Sequence, residues 1–584
     1  MISPSRMPGR RLPRLLAGIS SHRPARLSEH EQRYGPVPLP SRAAGPRRPG
    51  RARPGRLVDL VERSGLTGRG GAGYPTAKKM RSVIAAPGRP VVVANGCEGE
   101  PASAKDRLLL ARLPHLVLDG IALAAQAVAA DEAYLVVHGR QADLLASLEA
   151  AITERGTLGI DPVPIILAGI PHRYVASEQS AIVQYLNGGP GRPTFSPPRP
   201  HERGVKGRPT LVQNVETLAH LALIARYGDR WFRAVGLPSA PGSTLVTVSG
   251  AVARPGVYEI EMGTPIGQVV MLAGGPTKRL HGLLVGGYFG GWLPAKVAWP
   301  VPMTHAGLRS VGGAMGAGMV IALPGTACPL AETARVVRYL AEESAGQCGP
   351  CMFGLPALAD VLTDLAYQGG RSRGVDQVGS LIPLIEQRGA CRHPDGATQL
   401  VRSMLRAFPG DADRHDQQGP ATAYGGRHCC RYRQLTNGDG AGREAPAAGQ
   451  PDRLHRPRHV RRAAAGDHRP GPVGLSHPGV TRGAPPPARS CPARGGRLPD
   501  PGPADGRDQQ QAPMRRAPRL FVAAPAGVHG RRRHATPAAE EHRYLALAGG
   551  ERDLRTAARP THHTVGLVTL LRAPGLQVGA CLLT

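Results

Sequence analysis

The chain has 584 residues, 77 of them Gly and 59 Pro, and a net charge of +31; at roughly 100 to 200 residues per domain it is long enough for several cores. The charge invites a nucleic-acid partner, but it is concentrated in the flanks, where residues 1–56 carry 13 Arg against 2 acidic residues and residues 411–584 carry 27 Arg against 14. Arg/Pro runs without interleaved aromatics, in a chain only 4% aromatic, are solvated segments rather than a platform on which bases stack, which argues against a nucleic-acid function.

In chain order, residues 1–56 form a basic, partly disordered lead-in. Its apolar stretch Leu15–Ile19 is shorter than the apolar region of about 7 to 15 residues in a secretory signal. Leu57–Ser64 has apolar residues at helical spacing and ends at Gly65, so a short amphipathic helix delivers the chain to the stretch Gly65–Arg81. Within that stretch Gly68, Gly70, Gly71 and Gly73 precede Lys79. Without Cβ atoms such a loop takes positive φ angles and turns several N–H groups toward one anion, which suits a phosphate, although glycine-rich turns that bind nothing are common.

Val91–Val93 is a continuous β-branched run, expected as a buried strand, which places Asn95–Glu100 at its carboxyl end, where α/β sheets bind ligands. Further strands are expected at Tyr134–Val137 and Pro164–Leu167, with a helix over Ala142–Arg155 between them; the alternation predicts a parallel, Rossmann-like sheet in a domain spanning 57–240. Glu178 opens a helical segment within 175–186, and Gln213-Asn214 lies in 207–218; on their own these are a helix-start glutamate and a polar capping turn. Residues 245–325 alternate short β-branched runs with Arg254-Pro255-Gly256 and Gly263-Thr264-Pro265 turns, as a small β-rich domain with one helix would.

A third unit, 328–408, opens with a helix over Ala331–Ser344 and a loop holding Cys348 and Cys351, and Cys391 falls 40 positions later. Nine cysteines in a chain without signs of secretion point to thiols or metal ligands before disulfides. From Pro409 to the end, 409–584, lysine is absent and no periodicity persists, as in a disordered tail or a coding sequence read out of frame. His428, Cys429 and Cys430 have no spaced partner pair for a metal. No run of about 20 apolar residues occurs, and Thr564–Thr584 is broken by Arg572, Pro574 and Gly575, so no membrane span is expected and a cytoplasmic location is the default.

Taken together, Gly-Arg-Gly-Gly-Ala-Gly-Tyr-Pro-Thr with Lys79, the segment Asn95–Arg107, residues 175–186 and 207–218, and the spacing of Cys348, Cys351 and Cys391 resemble the NADH-binding flavoprotein subunit of NADH-quinone oxidoreductase (complex I). The resemblance covers roughly residues 57–408. It implies an α/β architecture: a Rossmann-like FMN domain, a ubiquitin-like β-grasp domain of the SLBB type with a packing role, and a helical iron–sulfur domain. It further implies that Gly68, Arg69, Gly70, Gly71 and Lys79 hold the flavin phosphate; that Asn95, Glu98, Glu178, Gln213 and Asn214 also belong to the flavin site; that Glu100 faces nicotinamide; and that a [4Fe-4S] cluster is held by cysteine. Its activity would be hydride transfer from NADH to FMN, then electron transfer through the cluster to a second iron–sulfur subunit. The protein would be peripheral to the inner membrane through its partners.

The chain departs from this pattern in three places. Cys97 stands where the family has Asp, removing a carboxylate beside the flavin. The expected NADH contacts fall on Tyr74, Arg81, Gln179, Ser196 and Arg199, of which only Tyr74 is aromatic; losing two stacking faces at roughly 0.5 to 1.5 kcal/mol each weakens NADH by about an order of magnitude or more. Arg81 and Arg199 can stack on a purine or pair with phosphate, so another nucleotide donor stays open. Ala345 occupies the first cluster-ligand position and cannot coordinate iron, which leaves an under-ligated cluster, a three-iron form or an empty site as alternatives. A degenerate FMN-binding or scaffold subunit is accordingly the second function the sequence allows.

Overall fold

The computed structural model describes residues 12–19, 23–39, 55–368 and 373–418. His428, Cys429, Cys430 and the remainder of the tail lie outside the described residues. The lead-in contributes α1 (Leu27–Tyr34) and the first domain begins with α2 (Gly55–Ser64), the helix expected before Gly65, followed by α3 (Thr76–Ala85). Then come β1 (Val91–Asn95), α4 (Lys105–Arg112), α5 (Pro114–Val128), β2 (Glu132–His138), α6 (Ala142–Thr157), β3 (Ile165–Ile170), α7 (Gln179–Leu186), β4 (Thr210–Asn214) and α8 (Val215–Phe232). Pairing is parallel throughout, in the order β3-β2-β1-β4.

The β-branched run in β1 explains its central place. Val92 and Ala94 enter the core shared with α5 and α8, while Val91 and Val93 enter a second core with Ile182, Val205 and Val212; a strand apolar on both faces fits only between two helical layers. α5 is buried on nearly every side, as a helix apolar all round must be. The order reverses between β1 and β4, where Asn95 and Asn214 are register partners. In an open parallel sheet such a reversal leaves a crevice beyond the carboxyl ends of the strands.

A two-stranded ribbon, β5 (Gly236–Leu237) and β6 (Ala240–Pro241), leads to the second domain: β7 (Ser243–Gly250), β8 (Gly256–Glu261), α9 (Ile266–Leu272), β9 (Leu280–Val285), β10 (Gly291–Pro294), α10 (Ala295–Ala298), α11 (His305–Ser310) and β11 (Met319–Pro324). Its sheet order is β10-β9-β11-β7-β8. The last strand lies in the middle, parallel to β7 and antiparallel to β9, which is the β-grasp arrangement. The third domain is helical: α12 (Pro329–Glu342), one π-turn at Pro350–Gly354, α13 (Leu355–Tyr367), α14 (Gly374–Ile385), α15 (His393–Ala407) and α16 (Pro409–Gln418).

The expected break at Pro409 falls inside this folded part. In α16, Asp411 bonds His281 at 2.8 Å, His415 meets the Cys328 sulfur at 3.3 Å and Asp416 accepts from the Gly374 N–H. The segment reads as charged and aperiodic because its few anchoring side chains are polar and find their partners on distant elements. The lead-in is likewise tied down in part: Glu259 accepts from the backbone N–H groups of Arg14, Leu15 and Leu16, and the Arg14 guanidinium lies 4.1 Å over the Trp231 ring.

Candidate flavin and iron–sulfur site

A cavity of about 400 Å³ opens at the β1/β4 crevice, within the range of roughly 300 to 1,000 Å³ that small-molecule sites occupy. Its walls come from all three domains: Gly70, Gly71 and Ala72 of the glycine loop; Asn95, Cys97, Glu98, Glu100 and Asn214 beyond the strands; Tyr174 and Glu178; Phe289, Gly316 and Ala317 of the β-grasp domain; and Cys391 and His393 of the helical domain.

Each wall is fixed by local chemistry. The Gly68 N–H donates to Tyr74 O and the Arg69 N–H to Thr217 Oγ1, which closes the loop over α8. Gly71 has φ +109°, and a Cβ there would stand 3.0 Å from Gly316 O, so only glycine allows the loop its conformation and its approach to the second domain. The Arg69 side chain is buried and faces inward, donating to Ser243 O and Thr67 Oγ1; its guanidinium links the domains, although the residue also lines the cavity. Lys79 donates to Val212 O at 2.7 Å and to Gln179 at 3.4 Å, and burial lowers its pKa to about 8 against the opposing pull of Glu178. An anionic ligand near it would raise that pKa again.

Asn95 holds the next turn: its amide donates to Ser177 O and its carbonyl accepts from the Cys97 N–H. Glu98 accepts from the N–H groups of Asp106 and Arg107 and from Ser103 Oγ, so it caps α4. Asn214 caps α8 through the Glu216 N–H and donates to Asp106. Below it Lys105 lies 2.8 Å from Asp106 and 3.0 Å from Glu216, all three buried; burial works against its charge, and the two carboxylates outweigh that and raise its pKa. Cys97 is buried, and burial, then Asp106 and Glu98, pushes its thiol well up. The position is therefore a neutral thiol where the family pattern has a carboxylate.

Glu100 is a buried acid of the cavity wall. It accepts from the Tyr288 N–H at 3.0 Å and faces the Tyr174 hydroxyl at 3.5 Å, and burial raises its pKa to about 8 in spite of both contacts. Gly287 makes this possible: a Cβ there would be 2.0 Å from the Glu100 carboxylate. Glu178 caps α7 through Ser180 and Ala181. Gln213 is buried on β4 with Nε2 unpartnered, and nothing in the structure explains that donor.

Cys348, Cys351 and Cys391 lie within electrostatic reach of one another, with the Ala345 backbone beside Cys351 and the His393 backbone beside Cys391. Ala345 is itself buried. Burial, then Cys348, pushes the Cys351 thiol up to about 12.

The donor side is looser. Arg81 is engaged by Glu62 and by Asp59, the latter at 2.9 Å. Ser196 and Arg199 are exposed, and the Arg199 backbone N–H bonds Glu202. Tyr74 and Gln179 are exposed too, with Lys78 near the Tyr74 ring. None of these five lines the cavity. Sequence reasoning missed Tyr174, Phe289, Gly316, Ala317 and His393, and gives the β-grasp unit chiefly a packing role. The glycine-dense run at 286–291 was the signal available, since repeated glycine marks close backbone approach.

Residues 61–223 match the Nuo51 FMN-binding domain, 245–285 the SLBB domain and 331–415 the NADH-ubiquinone oxidoreductase-F iron–sulfur binding region. The chain is 32% identical over 378 residues to the NADH-quinone oxidoreductase F 2 subunit of Rhizobium meliloti, covering 62% of this chain and 90% of the relative. This chain belongs to the family of NADH-quinone oxidoreductase F subunits. The F subunit of Streptomyces coelicolor is 31% identical over 382 residues, covering 62% of this chain and 83% of that relative. A crystal structure of an NAD+-reducing [NiFe]-hydrogenase in the H2-reduced state superposes with a TM-score of 0.59 at 33% identity, covering 62% of this chain and 63% of that one. As a member of this family the protein is an oxidoreductase component with an FMN domain and an iron–sulfur region, and its relatives are subunits of multi-subunit complexes. Among the described residues no single helix is long and apolar enough to cross a membrane.

The residues fit FMN: the cavity has the volume, and the glycine cradle, Asn95 and Asn214 converge at the switch point. They fit a four-iron cluster only in part, because three thiols gather where such a cluster takes four.

Proposed function

We propose that this chain takes electrons from NADH at a flavin held in the three-domain cavity and passes them through an iron–sulfur centre to a second iron–sulfur subunit. The observation that carries this is a shared wall: the cavity lined by Gly70, Gly71, Asn95 and Asn214 is also lined by Cys391, so the residues proposed for the flavin and one thiol proposed for the cluster line a single cavity. Bound FMN supplies the chemistry, accepting two electrons as hydride and releasing them one at a time.

The chain's own residues position and insulate. The Gly68–Gly71 loop and Lys79 serve the phosphate end. Asn95, Glu98 and Asn214 are held by hydrogen bonds to backbone N–H groups, which brace the turns they form before a ligand enters. Glu100, largely protonated below its raised pKa, and the Cys97 thiol are each uncharged near neutral pH, which lowers the cost of placing an uncharged ring system against these two side chains. Tyr174 and Phe289, 5.2 Å apart by ring centroid, make an apolar side that excludes water. No general base is needed, because hydride leaves nicotinamide without a proton acceptor. We place the protein in the cytoplasm, peripheral to the inner membrane through its partners.

A visible spectrum of the anaerobically purified full chain followed by NADH titration tests this. Flavin bands that bleach on NADH support it, and a colourless protein overturns it. The scaffold alternative is favoured by one observation, that Arg81 is held by Asp59 and Glu62 while Ser196 and Arg199 offer no aromatic face. A flavin that dithionite bleaches and NADH does not would select it.

A further inference from the structure

Among the described residues the cysteines divide by surroundings. Cys97 lines the cavity beyond β1, Cys328 is buried against His415, and Cys348, Cys351 and Cys391 gather around the π-turn and the start of α15. No group of three or more His, Cys, Asp or Glu side chains among the described residues is drawn up around a single metal ion; an iron–sulfur cluster spaces its thiolates more widely than one ion does, and a four-iron cluster takes four of them.

The fourth corner has no thiolate. Ala345, three residues before Cys348, is buried with its backbone beside Cys351, so it borders the three thiols and its methyl group offers no donor. Three of the acids nearby already have partners. Glu178 caps α7, Asp395 bonds Arg392 and the Gln387 N–H, and Glu343 accepts from the Tyr174 N–H. Ser344 is the oxygen donor adjacent to Ala345 in the chain.

We propose that this chain holds a site-differentiated cluster, with three irons bound by Cys348, Cys351 and Cys391 and a fourth iron carrying an exchangeable water or hydroxide. This rests on reading residues 331–415 as an iron–sulfur region and not on NADH being the donor. A soft thiolate holds iron more firmly than water does, so the fourth iron is the one that leaves on mild oxidation. In balanced form, [4Fe-4S]2+ gives [3Fe-4S]+ and Fe2+ and loses one electron, taken by an added one-electron oxidant such as ferricyanide. Reductant with Fe2+ reverses the step.

The experiment uses the full chain and Ala345→Cys, both reconstituted anaerobically, with iron and sulfide assays, electron paramagnetic resonance before and after one equivalent of ferricyanide, and flavin content measured on the same samples. The expected result is a paramagnetic three-iron signal and loss of about one iron in four in the parent, restored by Fe2+ and dithionite, with both effects suppressed in Ala345→Cys. Cys351→Ala should bind little iron in either background, which checks that the signal comes from this site. A four-iron cluster equally resistant in parent and variant would overturn the proposal, and Ser344→Ala would then test the missed ligand. Iron near zero in the parent, whether or not Ala345→Cys gains it, would also overturn it. Normal flavin content in such samples would leave the FMN site standing, whereas missing flavin would count separately against that reading.

Discussion

Glu100→Gln removes one ionisable group from the cavity wall while keeping an acceptor for the Tyr288 N–H. In the folded protein burial raises the Glu100 pKa to about 8 from an ordinary value near 4.5, so the native state binds its proton more tightly than the unfolded chain. Stability from this group is complete below the unfolded pKa and is lost as pH rises toward and through the folded one. Integrating that difference from about pH 6 to about pH 9 gives a loss of roughly 2 to 3 kcal/mol for a side chain buried in the wall. The assay is urea unfolding of parent and Glu100→Gln across that range, followed by tryptophan fluorescence. The parent's midpoint should fall relative to the variant's as pH rises, with the gap levelling off above about pH 8, where the group is charged in both states. Parallel curves for the two proteins would refute the reasoning and mean that Glu100 is already ionised at neutral pH, with water reaching it. The same variant should flatten the pH dependence of flavin reduction near pH 8 if the charge on Glu100 is felt at the flavin.

Gly71→Val should release FMN, because the residue sits at φ +109° with a Cβ site 3.0 Å from Gly316 O; strain of about 1 to 3 kcal/mol makes the loop move, and unchanged flavin stoichiometry would sink this. NADH should reduce the flavin slowly or only at high concentration, since Ser196 and Arg199 supply no aromatic face. Arg81→Ala should leave that rate unaltered, its guanidinium being held by Asp59 and Glu62, and stopped-flow bleaching checks both statements. Asp119→Asn should destabilise the fold by about 3 to 5 kcal/mol, as the carboxylate joins His30 of α1, Arg155 of α6 and Arg226 of α8 in the core. Burial alone would raise its pKa, but His30, Arg226 and Arg155 hold it well below the ordinary value, so the parent's advantage should be present above about pH 4 and shrink as acid protonates it; a constant difference down to pH 2 would be the contrary result.

What the sequence determined by itself was local. Val91–Val93, Tyr134–Val137 and Pro164–Leu167 announce strands because β-branched and apolar runs are dictated by the residues' own shape, and Gly68–Gly73 announces a loop because only glycine takes those backbone angles freely. The pairing of Cys348 with Cys351 was legible from spacing, and the missing thiol at Ala345 only from the resemblance to the family. The tertiary structure decided everything that depends on where distant segments meet. That Asn95 and Asn214 are neighbours follows from the reversal of strand order between β1 and β4, which no periodicity encodes. Burial of Glu100 depends on Tyr174 and on a backbone N–H of the next domain, so its raised pKa is not written in its own segment. The inward turn of Arg69, the loss of Arg81 to Asp59 and Glu62, and the packing of the polar helix Pro409–Gln418 onto the helical domain have the same cause. The energy of a charged or polar side chain is set by its partners and its desolvation, and both are supplied by the fold rather than by neighbours in sequence.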